Sequence, residues 1–424
     1  MKKKSFYLLL VCTTVLFIIS CQKTIDEPFI APEHRTSPNN SNAIENAKKI
    51  YVSTLDELYA GVNDPSNAGT DVILAAGTYV LSASYPNGGR LELQPDMSLS
   101  GQPGNSDAVL IDQSSLPAAS LVLAIGGRTG GIRMGKGTNA LEWLSLKGAN
   151  VSANPFSVIN TDLPSLETWI KISHLKIDVN GCVIGINLRN RLAEHSGRKI
   201  YATLEENEVF GAVNFNGLGI AAQIANGASE SLIKVIMGKN YIHGNKIGLL
   251  TFCSAQTATV INSRIEITSY ADRIEGNGCG IDFTTAVNQT TTTVANNNTA
   301  ILKMYGSSIS YNNPPGAPQL APVNGAFPGA MTLTAGYSNV NNIGGFDRAS
   351  NNTMLVECNG CTISNNGSTD IYAYAAWCLP ACVLAGSNNL AELYLHGVSA
   401  NATIESAASV PIEPAGTNVV NIYR

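Results

Sequence analysis

The most informative pattern in the chain is an apolar residue followed three positions later by asparagine, usually with a small-residue turn and a second apolar run after it. The copies are Ile177/Asn180, Ile242/Asn245, Ile274/Asn277, Ile309/Asn312, Ile363/Asn366 and Val398/Asn401, and a further copy at Val209 has Ala212 in place of the asparagine. The apolar positions 177, 209, 242, 274 and 309 are 32 to 35 residues apart. A recurring period of this size predicts stacked units that share one hydrophobic core.

Each unit consists of short runs rich in β-branched residues, which Gly and Asn separate. Such runs predict short strands, and equivalent strands of successive units would lie about 4.8 Å apart. The repeated asparagines would then stack, with their amides bonding the units above and below. Because Asn tolerates the left-handed backbone conformation of tight turns, we expect it to adopt that conformation in each unit.

The N-terminal part of the predicted domain carries a clear helix signal. Ile50–Val52 is predicted to be a short strand, and residues 53–62 one helix with a capping box of Thr54 and Glu57. The apolar face of this helix consists of Leu55, Leu58 and Val62. We expect the helix to cover the open edge of the first layer of strands.

The composition supports an all-β chain and excludes one class of partner. Only 13% of the 424 residues are charged, and 39 are glycine, which is typical of short strands joined by many turns. The formal net charge is −5, and no basic run follows residue 4. A nucleic-acid partner is therefore not expected.

Three segments, Asp71–Tyr79, Leu99–Gly101 and Val109–Asp112, follow the predicted helix in close succession. Together they resemble the N-terminal cap and first coils of pectate-lyase-like right-handed parallel β-helices. The resemblance implies that residues 48–424 form an all-β, single-stranded right-handed parallel β-helix, a solenoid with a small N-terminal capping helix. That superfamily contains lyases, hydrolases, esterases, epimerases and non-enzymatic surface proteins, so the fold does not select a reaction.

Residues 1–20 have the features of a secretory signal peptide, a basic start followed by an apolar run over residues 6–19. Ile18–Cys21 resembles a bacterial lipobox, which implies lipidation of Cys21; the alternative is an ordinary signal peptide with an incidental cysteine. The residues after Cys21 resemble the surface-export signal of Bacteroidetes-type lipoproteins. We therefore predict a flexible tether over residues 21–47 and a lipid anchor in the cell outer membrane, with surface exposure of the domain.

One interval departs from the period. Ile309 and Ile363 are 54 residues apart, well beyond the usual spacing. The interval 312–350 contains five prolines, which cannot donate ladder hydrogen bonds, and one strand-like run, Met331–Thr334. It would form either one extra coil or long loops around that strand, and long loops on a rigid scaffold often bind ligands.

Candidate chemistry lies beside the repeated apolar residues. Because side chains alternate across a strand, the residues on either side of an inward anchor point outward. Stacking then brings His243 next to Glu275 and Tyr241 next to Arg273, so a carboxylate could orient or charge the imidazole and a cation could cover the ring. The candidate substrate-binding residues are Tyr241, His243, Arg273 and Asp282, and the catalytic candidates are Lys239, His243, Arg273 and Glu275.

The same positions could also be ordinary surface ladders. A uronate lyase needs a base, a cation that neutralises the sugar carboxylate and often Ca²⁺ held by several carboxylates, and a hydrolase needs paired carboxylates. The sequence holds no Asp-Asp pair and no dense acidic cluster. It therefore implies no cofactor, and calcium enters only with the lyase alternative. Asn160–Asp162 resembles one motif of polygalacturonases, whose companion motifs are missing.

The cysteines could be zinc ligands, disulfide partners or buried free thiols. Cys358 with Cys361, and Cys378 with Cys382, have zinc-like spacing, but disulfides compete in an oxidising compartment and buried free thiols are common in cores. Cys182 and Cys279 lie three predicted coils apart, about 14 Å at the spacing of β-strands. That separation exceeds the Cα limit of about 7 Å for a disulfide, so we predict that those two are not bonded to each other.

For function, the sequence favours a surface-anchored β-helix lipoprotein that binds glycan or has a structural role, without catalysis. The alternative is a polysaccharide lyase or another carbohydrate-active enzyme that acts on acidic glycans. The expected partners are the outer membrane, through the lipid anchor, and a polysaccharide. The sequence does not specify an oligomeric state.

Overall fold

The computed structural model describes residues 48–123, 127–151, 156–163, 165–214, 217–290, 292–313, 328–338, 349–367, 369–378, 386–399, 402–410 and 417–424. The predicted signal peptide, the tether with Cys21, Asn401 and Cys382 lie outside these residues, and so does the side chain of Cys378. No helix within the described ranges is long and apolar enough to cross a membrane.

Nearly all strands of the described residues pair in three parallel sheets, which we call A, B and C. In the following bounds, the strands are numbered in chain order. Sheet A contains β1 (Lys48–Val52), β2 (Thr70–Leu74), β5 (Ser98–Ser100), β8 (Thr138–Glu142), β11 (Glu167–Ser173), β14 (Lys199–Glu205), β17 (Leu232–Gly238), β21 (Arg264–Tyr270), β25 (Thr299–Tyr305), β28 (Thr353–Asn359), β31 (Leu390–His396) and β33 (Val419–Tyr423). Sheet B contains β3 (Gly77–Val80), β6 (Val109–Asp112), β9 (Ser145–Lys147), β12 (Lys176–Asp178), β15 (Glu208–Phe210), β18 (Tyr241–His243), β22 (Arg273–Glu275), β26 (Ser308–Ser310) and β29 (Thr362–Ser364). Sheet C contains β4 (Leu91–Glu92), β7 (Gly130–Arg133), β10 (Ser157–Asn160), β13 (Ile184–Asn190), β16 (Leu218–Ala225), β19 (Ile247–Ala255), β23 (Cys279–Asn288), β27 (Gly329–Ser338), β30 (Ile371–Cys378) and β32 (Ile404–Val410).

A separate pair is formed by β20 (Val260–Ile261) and β24 (Ala295–Asn296). Within the described residues, five short 3₁₀ helices lie in the connections, at Pro65–Asn67, Pro86–Gly89, Ser106–Ala108, Ala118–Leu121 and Ala193–His195. From β2 to β30 the chain visits sheets A, B and C in turn, so each circuit is one coil of a β-helix. Parallel crossovers of this kind are right-handed in nearly all proteins. The predicted fold, a right-handed parallel β-helix, is confirmed.

The predicted capping helix is present as α1 (Leu55–Asn63). The Thr54 hydroxyl accepts the Glu57 N–H at 3.2 Å, and the Glu57 carboxylate accepts the Ser53 and Thr54 N–H groups at 2.7 and 3.1 Å. These bonds satisfy donors that a helix N-terminus leaves free. Leu58 and Val62 are fully buried against the first coil, as the apolar pattern predicted.

The interior of the solenoid is one continuous apolar cluster, and the repeated apolar residues lie in it. Ile177, Val209, Ile242, Ile274 and Ile309 stand directly opposite one another on adjacent strands of sheet B, and all are fully buried. Burial of one isoleucine side chain stabilises the fold by about 1.5–3 kcal/mol. The inward register that the 32-to-35-residue period predicted is therefore confirmed.

The predicted asparagine ladder runs along the corner between sheets B and C, and we call it the BC ladder. It consists of Asn245, Asn277, Asn312 and Asn366. Each side-chain oxygen accepts the backbone N–H of the preceding member at 3.0–3.1 Å, and each amide nitrogen donates to a carbonyl of the preceding coil. The ladder starts at Ala212, whose N–H donates to Asn245 Oδ1. Each of the four ladder side chains thus has hydrogen-bond partners on a neighbouring coil.

The turn geometry corrects one expectation. The left-handed residue is not the ladder asparagine but the residue before it, with φ +62° at Gly244 and +66° at Gly276. A glycine adopts this conformation without the cost that a side chain brings. Asn180 differs, because its own φ is +51° and its amide donates to Gly148 O. The turn between β12 and β13 has five residues, two more than the turn between β18 and β19, and Asn180 does not belong to the ladder.

A second ladder, which the sequence did not reveal, lies at the corner between sheets A and B. This AB ladder consists of Asn207, Asn240, Asp272 and Ser307. The backbone N–H of each member donates to the side chain of the next, at 3.1, 2.7 and 3.2 Å. Asp272 is fully buried and also accepts the Ser269 hydroxyl at 2.6 Å. A carboxyl group therefore stands where the coils before it have an amide.

The titration of Asp272 should be visible in the pH dependence of stability. Burial raises the pKa of this carboxyl from its ordinary 3.8 to about 6. A carboxyl whose pKa is higher in the folded state stabilises the fold below its unfolded pKa, and this contribution is lost as the pH rises from about 4 through about 6. We expect Asp272→Asn to raise the free energy of unfolding at pH 7 by on the order of 1–3 kcal/mol, with a gain that shrinks toward pH 4.

Urea unfolding at pH 4, 5.5 and 7 measures this effect. Asp107→Asn is the control, since Asp107 is an exposed carboxylate that pairs with Lys176 at the surface, and it should show no comparable gain. A decrease in the free energy of unfolding at pH 7 in the Asp272→Asn variant would contradict the prediction.

The long interval between Ile309 and Ile363 holds a single coil. β26 pairs directly with β29, and Ile309 stands opposite Ile363. The predicted strand is present and longer than expected, as β27 (Gly329–Ser338), which pairs with β23 and β30 in sheet C. The interval is thus one coil with long connections, most of which lie outside the described residues.

Asp282 does not join the predicted surface patch. It points away from the interior residues Ile281 and Phe283, as expected, but it lies on sheet C, whereas His243 and Arg273 lie on sheet B. Its side chain is fully buried, Thr284 donates to it at 2.8 Å, and burial raises its pKa to about 7. The prediction failed because the outer face of sheet C is itself covered, with a second apolar cluster on it.

The five cysteines with described side chains are free thiols, and all are buried. Cys182 packs in the interior cluster, while Cys279 belongs to the outer cluster on sheet C, where it stands opposite Ile247. They lie on opposite faces of the wall of the solenoid and are not bonded to each other. No group of three or more His, Cys, Asp or Glu side chains that could hold a metal ion occurs in the described residues.

Candidate functional site

The patch predicted on sheet B has the expected register. Tyr241 stands opposite Arg273, and His243 stands opposite Glu275. The Arg273 guanidinium lies over the Tyr241 ring at 4.4 Å from its centre, which confirms the predicted cation–π pair. The proposed contact between His243 and Glu275 is wrong in detail. His243 Nε2 is 3.0 Å from Glu208 Oε1 on the preceding coil, and Glu275 accepts from Arg273 at 2.8 Å.

The contacts on this patch satisfy its charges internally. Lys239 pairs with Glu206 at 3.1 Å, and the rings of Tyr241 and His243 stack with their centres 4.1 Å apart. The space above the Tyr241 ring that a sugar would occupy is therefore taken by the imidazole and the Arg273 guanidinium. The patch has the features of a surface ladder rather than of a sugar platform.

Removal of the cation on this patch should have a small effect. Arg273 is largely exposed, and exposed ion pairs and cation–π contacts each contribute up to about 1 kcal/mol. We expect Arg273→Ala to lower the free energy of unfolding by about 1 kcal/mol or less and to change glycan affinity less than threefold. Urea unfolding and glycan-affinity gels measure the two quantities. A complete loss of glycan affinity or of activity in this variant would show that the functional site lies on sheet B.

A different site lies on the outer face of sheet C, at the N-terminal half of the solenoid. It is a cavity of about 480 Å³, and we call it the arginine cavity. Six cationic and two carboxylate side chains line it, in a chain whose overall charge is negative. Its lining includes Arg128, Arg133, Lys136, Asp162, Arg189, Arg191, Glu194, His195, Arg198, Asn226 and Thr257.

Strand register brings these residues together from separate coils. Arg133 ends β7, and its Cα partner across the sheet is Asn160 of β10, which in turn pairs with Asn187 of β13. Arg189 follows on the same strand, and its N–H donates to the Thr161 hydroxyl at 3.0 Å. The 3₁₀ helix after β13 then returns His195 over the strand ends. Sheet C therefore forms the floor of the cavity, and the turns from sheet C to sheet A form one wall.

One arginine of the cavity is neutralised. The Arg133 guanidinium is buried between two carboxylates, with Nη1 at 2.6 Å from Glu92 and Nε at 2.9 Å from Asp162. Burial opposes its charge, but Asp162 and Glu92 outweigh that effect and raise its pKa. This triad is a fixed structural element. Asp162, from the segment that resembles a polygalacturonase motif, therefore serves as an arginine partner in this structure.

Three other arginines lack a carboxylate partner. None of the ion pairs of the described residues involves Arg128, Arg189 or Arg191. Among the described residues, the Arg189 guanidinium donates only to the Arg128 carbonyl, at 3.3 Å from Nη1, and its Nε is shielded from solvent without a partner. Burial, Arg191 and Arg128 together lower the pKa of Arg189 to about 9. Unpaired cations at close range repel one another, and an anion would relieve this repulsion.

His195 supplies a neutral polar group to the same cavity. It is buried, and its Nδ1 accepts the Arg191 N–H at 3.3 Å. Burial and the nearby Arg198 lower the pKa of the imidazole to about 4. At neutral pH the ring is uncharged, and since Nδ1 is the acceptor, Nε2 carries the proton. His195 is therefore a hydrogen-bond donor beside the arginines.

The repeat did not reveal this cavity. It marks outward-facing positions on sheet B, whereas the informative residues are arginines of sheet C and its turns, in the segments 127–136 and 189–198. The available signal was the concentration of arginine in two short segments of a chain with few charges. The separation of the two segments along the chain concealed that they form one cavity.

Comparisons with known proteins identify similar folds but no family. No protein-family profile matches the chain, and no curated protein matches it significantly in sequence. The A-module of a mannuronan C-5 epimerase from Azotobacter vinelandii is similar in structure, with 15% identity and a TM-score of 0.39 over 87% of this chain and 95% of the module. Pectate lyase Pel9A has 14% identity and a TM-score of 0.33 over 86% of this chain and 80% of its own.

The product of open reading frame 18 of Geobacillus virus E2 is also similar, with 13% identity and a TM-score of 0.35 over 84% of this chain and 55% of its own. A likeness of this degree concerns the path of the chain and assigns no reaction to it.

Proposed function

We propose that the protein binds a carboxylate-bearing polysaccharide in the arginine cavity. The observation that carries this proposal is the set of three arginines, Arg128, Arg189 and Arg191, that converge without a carboxylate partner among the described residues. The guanidinium fork matches the two oxygens of a carboxylate, and such paired hydrogen bonds are among the strong ones in proteins.

The remaining lining groups favour a sugar acid over a simple anion. Asn226, Thr257 and His195 supply amide, hydroxyl and imidazole groups beside the cations. Sugar hydroxyls donate hydrogen bonds as well as accept them, so the oxygens of Asn226 and Thr257 can accept from a sugar, whereas sulfate has no proton to donate. A cavity of about 480 Å³ is within the range of small-molecule sites and admits a short stretch of a glycan chain. Binding without catalysis requires no additional side chain to act as a general acid or base.

The binding experiment compares glycans that differ in charge. Oligomers of polygalacturonate and alginate, fully methyl-esterified pectin oligomers and inorganic phosphate are titrated by calorimetry. We expect binding of the two acidic glycans and at least tenfold weaker binding of the methyl ester. Equal affinity for the ester, or phosphate binding as tight as that of the oligomers, would contradict the proposal.

A second candidate function, uronate elimination or epimerisation, rests on the same convergence of Arg128, Arg189 and Arg191 around one cavity. Both reactions need a base that abstracts the proton next to the sugar carboxylate and a cation that neutralises that carboxylate. Burial lowers the pKa of Arg189 to about 9, which makes it the candidate base, and Arg128 and Arg191 are the candidate cations. Calcium ligands in the form of a carboxylate cluster are not found in the described residues.

Catalysis and binding can be separated with one sample. Absorbance of unsaturated chain ends reports elimination, and deuterium exchange at the sugar carbon next to the carboxylate reports epimerisation. Double bonds or exchange that disappear in Arg189→Lys, a variant that keeps the charge, would favour the enzyme. Binding without either signal favours the non-catalytic function.

We also propose that a lipid on Cys21 holds the protein at the outer membrane. The lipobox-like segment Ile18–Cys21 supports this proposal. Fatty-acid labelling of the protein in a bacterial host measures the modification. Label in the wild type and none in Cys21→Ala is expected. Label that persists in the variant would exclude Cys21 as the lipidated residue.

A further inference from the structure

The AB ladder ends at a cysteine. Ser307 is its last oxygen-bearing member, and on the next coil the corresponding position is Cys361, whose sulfur accepts the Ser307 N–H. Sulfur is a weak acceptor, so an asparagine or serine would stabilise this buried corner better. The hydrogen-bonding pattern of the ladder therefore does not explain the cysteine.

A second thiol lies beside it. Cys358 is three residues earlier, at the end of β28, and faces the core above Met304 of the preceding coil. Each thiol is the largest influence on the pKa of the other, the Cys361 thiol donates to Asn359 O at 3.7 Å, and both side chains are at most 2% exposed. Between them the chain turns sharply at Gly360, with φ +61°. Both cysteines therefore lie at one corner of the same coil.

We propose that Cys358 and Cys361 are a disulfide-forming pair, which closes the corner between β28 and β29 with a covalent bond. In the other coils the ladder holds this corner by hydrogen bonds from oxygen acceptors. In this coil a bond between residues 358 and 361 would take over that role. The unusual choice of cysteine at the ladder position then has a physical reason.

The reaction is a thiol–disulfide exchange with an oxidising small-molecule or protein disulfide. The Cys361 thiolate attacks one sulfur of that disulfide, and the other sulfur leaves as a thiolate. Cys358 then loses its proton to solvent and attacks the Cys361 sulfur, which releases the second thiolate. Two protein thiols are oxidised, and one disulfide is reduced to two thiols. The neighbouring Cys358 thiol lowers the pKa of Cys361 in the folded corner, so Cys361 is the attacking residue when that end of the solenoid opens.

Burial determines when the reaction can occur. Because both sulfurs are shielded by the stacked coils, an external disulfide reaches them only before the coil containing β31 packs onto β28, or when that end of the solenoid opens. Oxidation should therefore accompany folding in an oxidising compartment. Afterward the bond should resist reductants that act quickly on exposed disulfides.

The test is thiol mapping after refolding of the purified protein in glutathione buffers of increasing oxidising strength. Free thiols are alkylated in denaturant, and the cysteine peptides are analysed by mass spectrometry without reduction. We expect a peptide containing Cys358 and Cys361 that is about 2 Da lighter and is not alkylated. Cys182, Cys253 and Cys279 are equally buried and have no thiol partner among the described residues, so they should be alkylated and serve as internal controls.

Single variants provide a second measurement. Cys361→Ser keeps an acceptor at the ladder position, and we expect Cys358 to become alkylated in it under all conditions. Alkylation of both thiols in the wild type under oxidising refolding would overturn the proposal. A bond from either residue to Cys378 or Cys382 would overturn it as well.

Discussion

Replacement of Arg189 with alanine is expected to weaken binding of acidic oligosaccharide about 10- to 100-fold. Arg189 lines the arginine cavity close enough to Arg191 and Arg128 to feel their charge, and its Nε has no partner among the described residues. A hydrogen bond to a charged group contributes about 1.5–3 kcal/mol, which corresponds to this range of affinities. Calorimetric titration of polygalacturonate and alginate oligomers measures the effect.

The control for this experiment is Arg264→Ala. Arg264 lies on β21 of sheet A, is about half exposed and pairs with Glu266. Its removal changes the net charge equally but leaves the cavity intact, so affinity should change less than threefold. Equal losses in the two variants would show that general attraction to a polyanion, rather than the cavity, determines binding. If Arg189→Ala kept its affinity for the acidic oligosaccharide, the arginine cavity would not be the binding site.

Loss of a BC ladder side chain is expected to have the largest effect on stability. Asn277 accepts the N–H and the amide of Asn245 and donates to Ile242 O, Glu275 O and Asn312 Oδ1. Asn277→Ala leaves several of these buried groups without a partner, and each costs about 1–3 kcal/mol. We expect the free energy of unfolding to fall by about 3–5 kcal/mol, which urea unfolding at pH 7 measures.

A matched control for the ladder is Asn214→Ala. Asn214 is an asparagine on a neighbouring turn whose amide makes one bond, to Asn180 O at 3.3 Å. Its loss should lower the free energy of unfolding by about 1 kcal/mol or less. If Asn277→Ala were no more destabilising than this control, water would have to replace the ladder bonds, and the ladder would not be the element that holds the BC corner.

The register of the solenoid was predictable from residue types alone. A period of 32 to 35 residues with one apolar anchor per coil aligns Ile242 with Ile274, and the pairing of Tyr241 with Arg273 follows from that alignment. Side chains on such a sheet can contact only their neighbours on adjacent coils, so spacing specifies partners. What spacing did not specify is which neighbour a flexible side chain selects, and His243 bonds Glu208 rather than Glu275.

The candidate site was not predictable from the sequence. The positions that the repeat marks for an acidic-glycan ligand lie on sheet B, whereas the arginine cavity lies on sheet C. Arg133 and Arg189 belong to separate coils, and their approach depends on the irregular turns from sheet C to sheet A rather than on the repeat. The burial of Asp282 likewise depends on what covers the outer face of sheet C, which the alternation of inward and outward residues does not reveal.

By itself, the sequence determined the fold class, the helical cap at Thr54 and Glu57, the inward anchors and the asparagine ladder, because each follows from local propensity or from a fixed period. Tertiary structure alone decided that a carboxyl group, Asp272, replaces an amide in a second ladder, and that unpaired arginines share one cavity. The reason is physical. A repeat specifies what stacks on what, whereas charge and burial at one point depend on every segment that converges there.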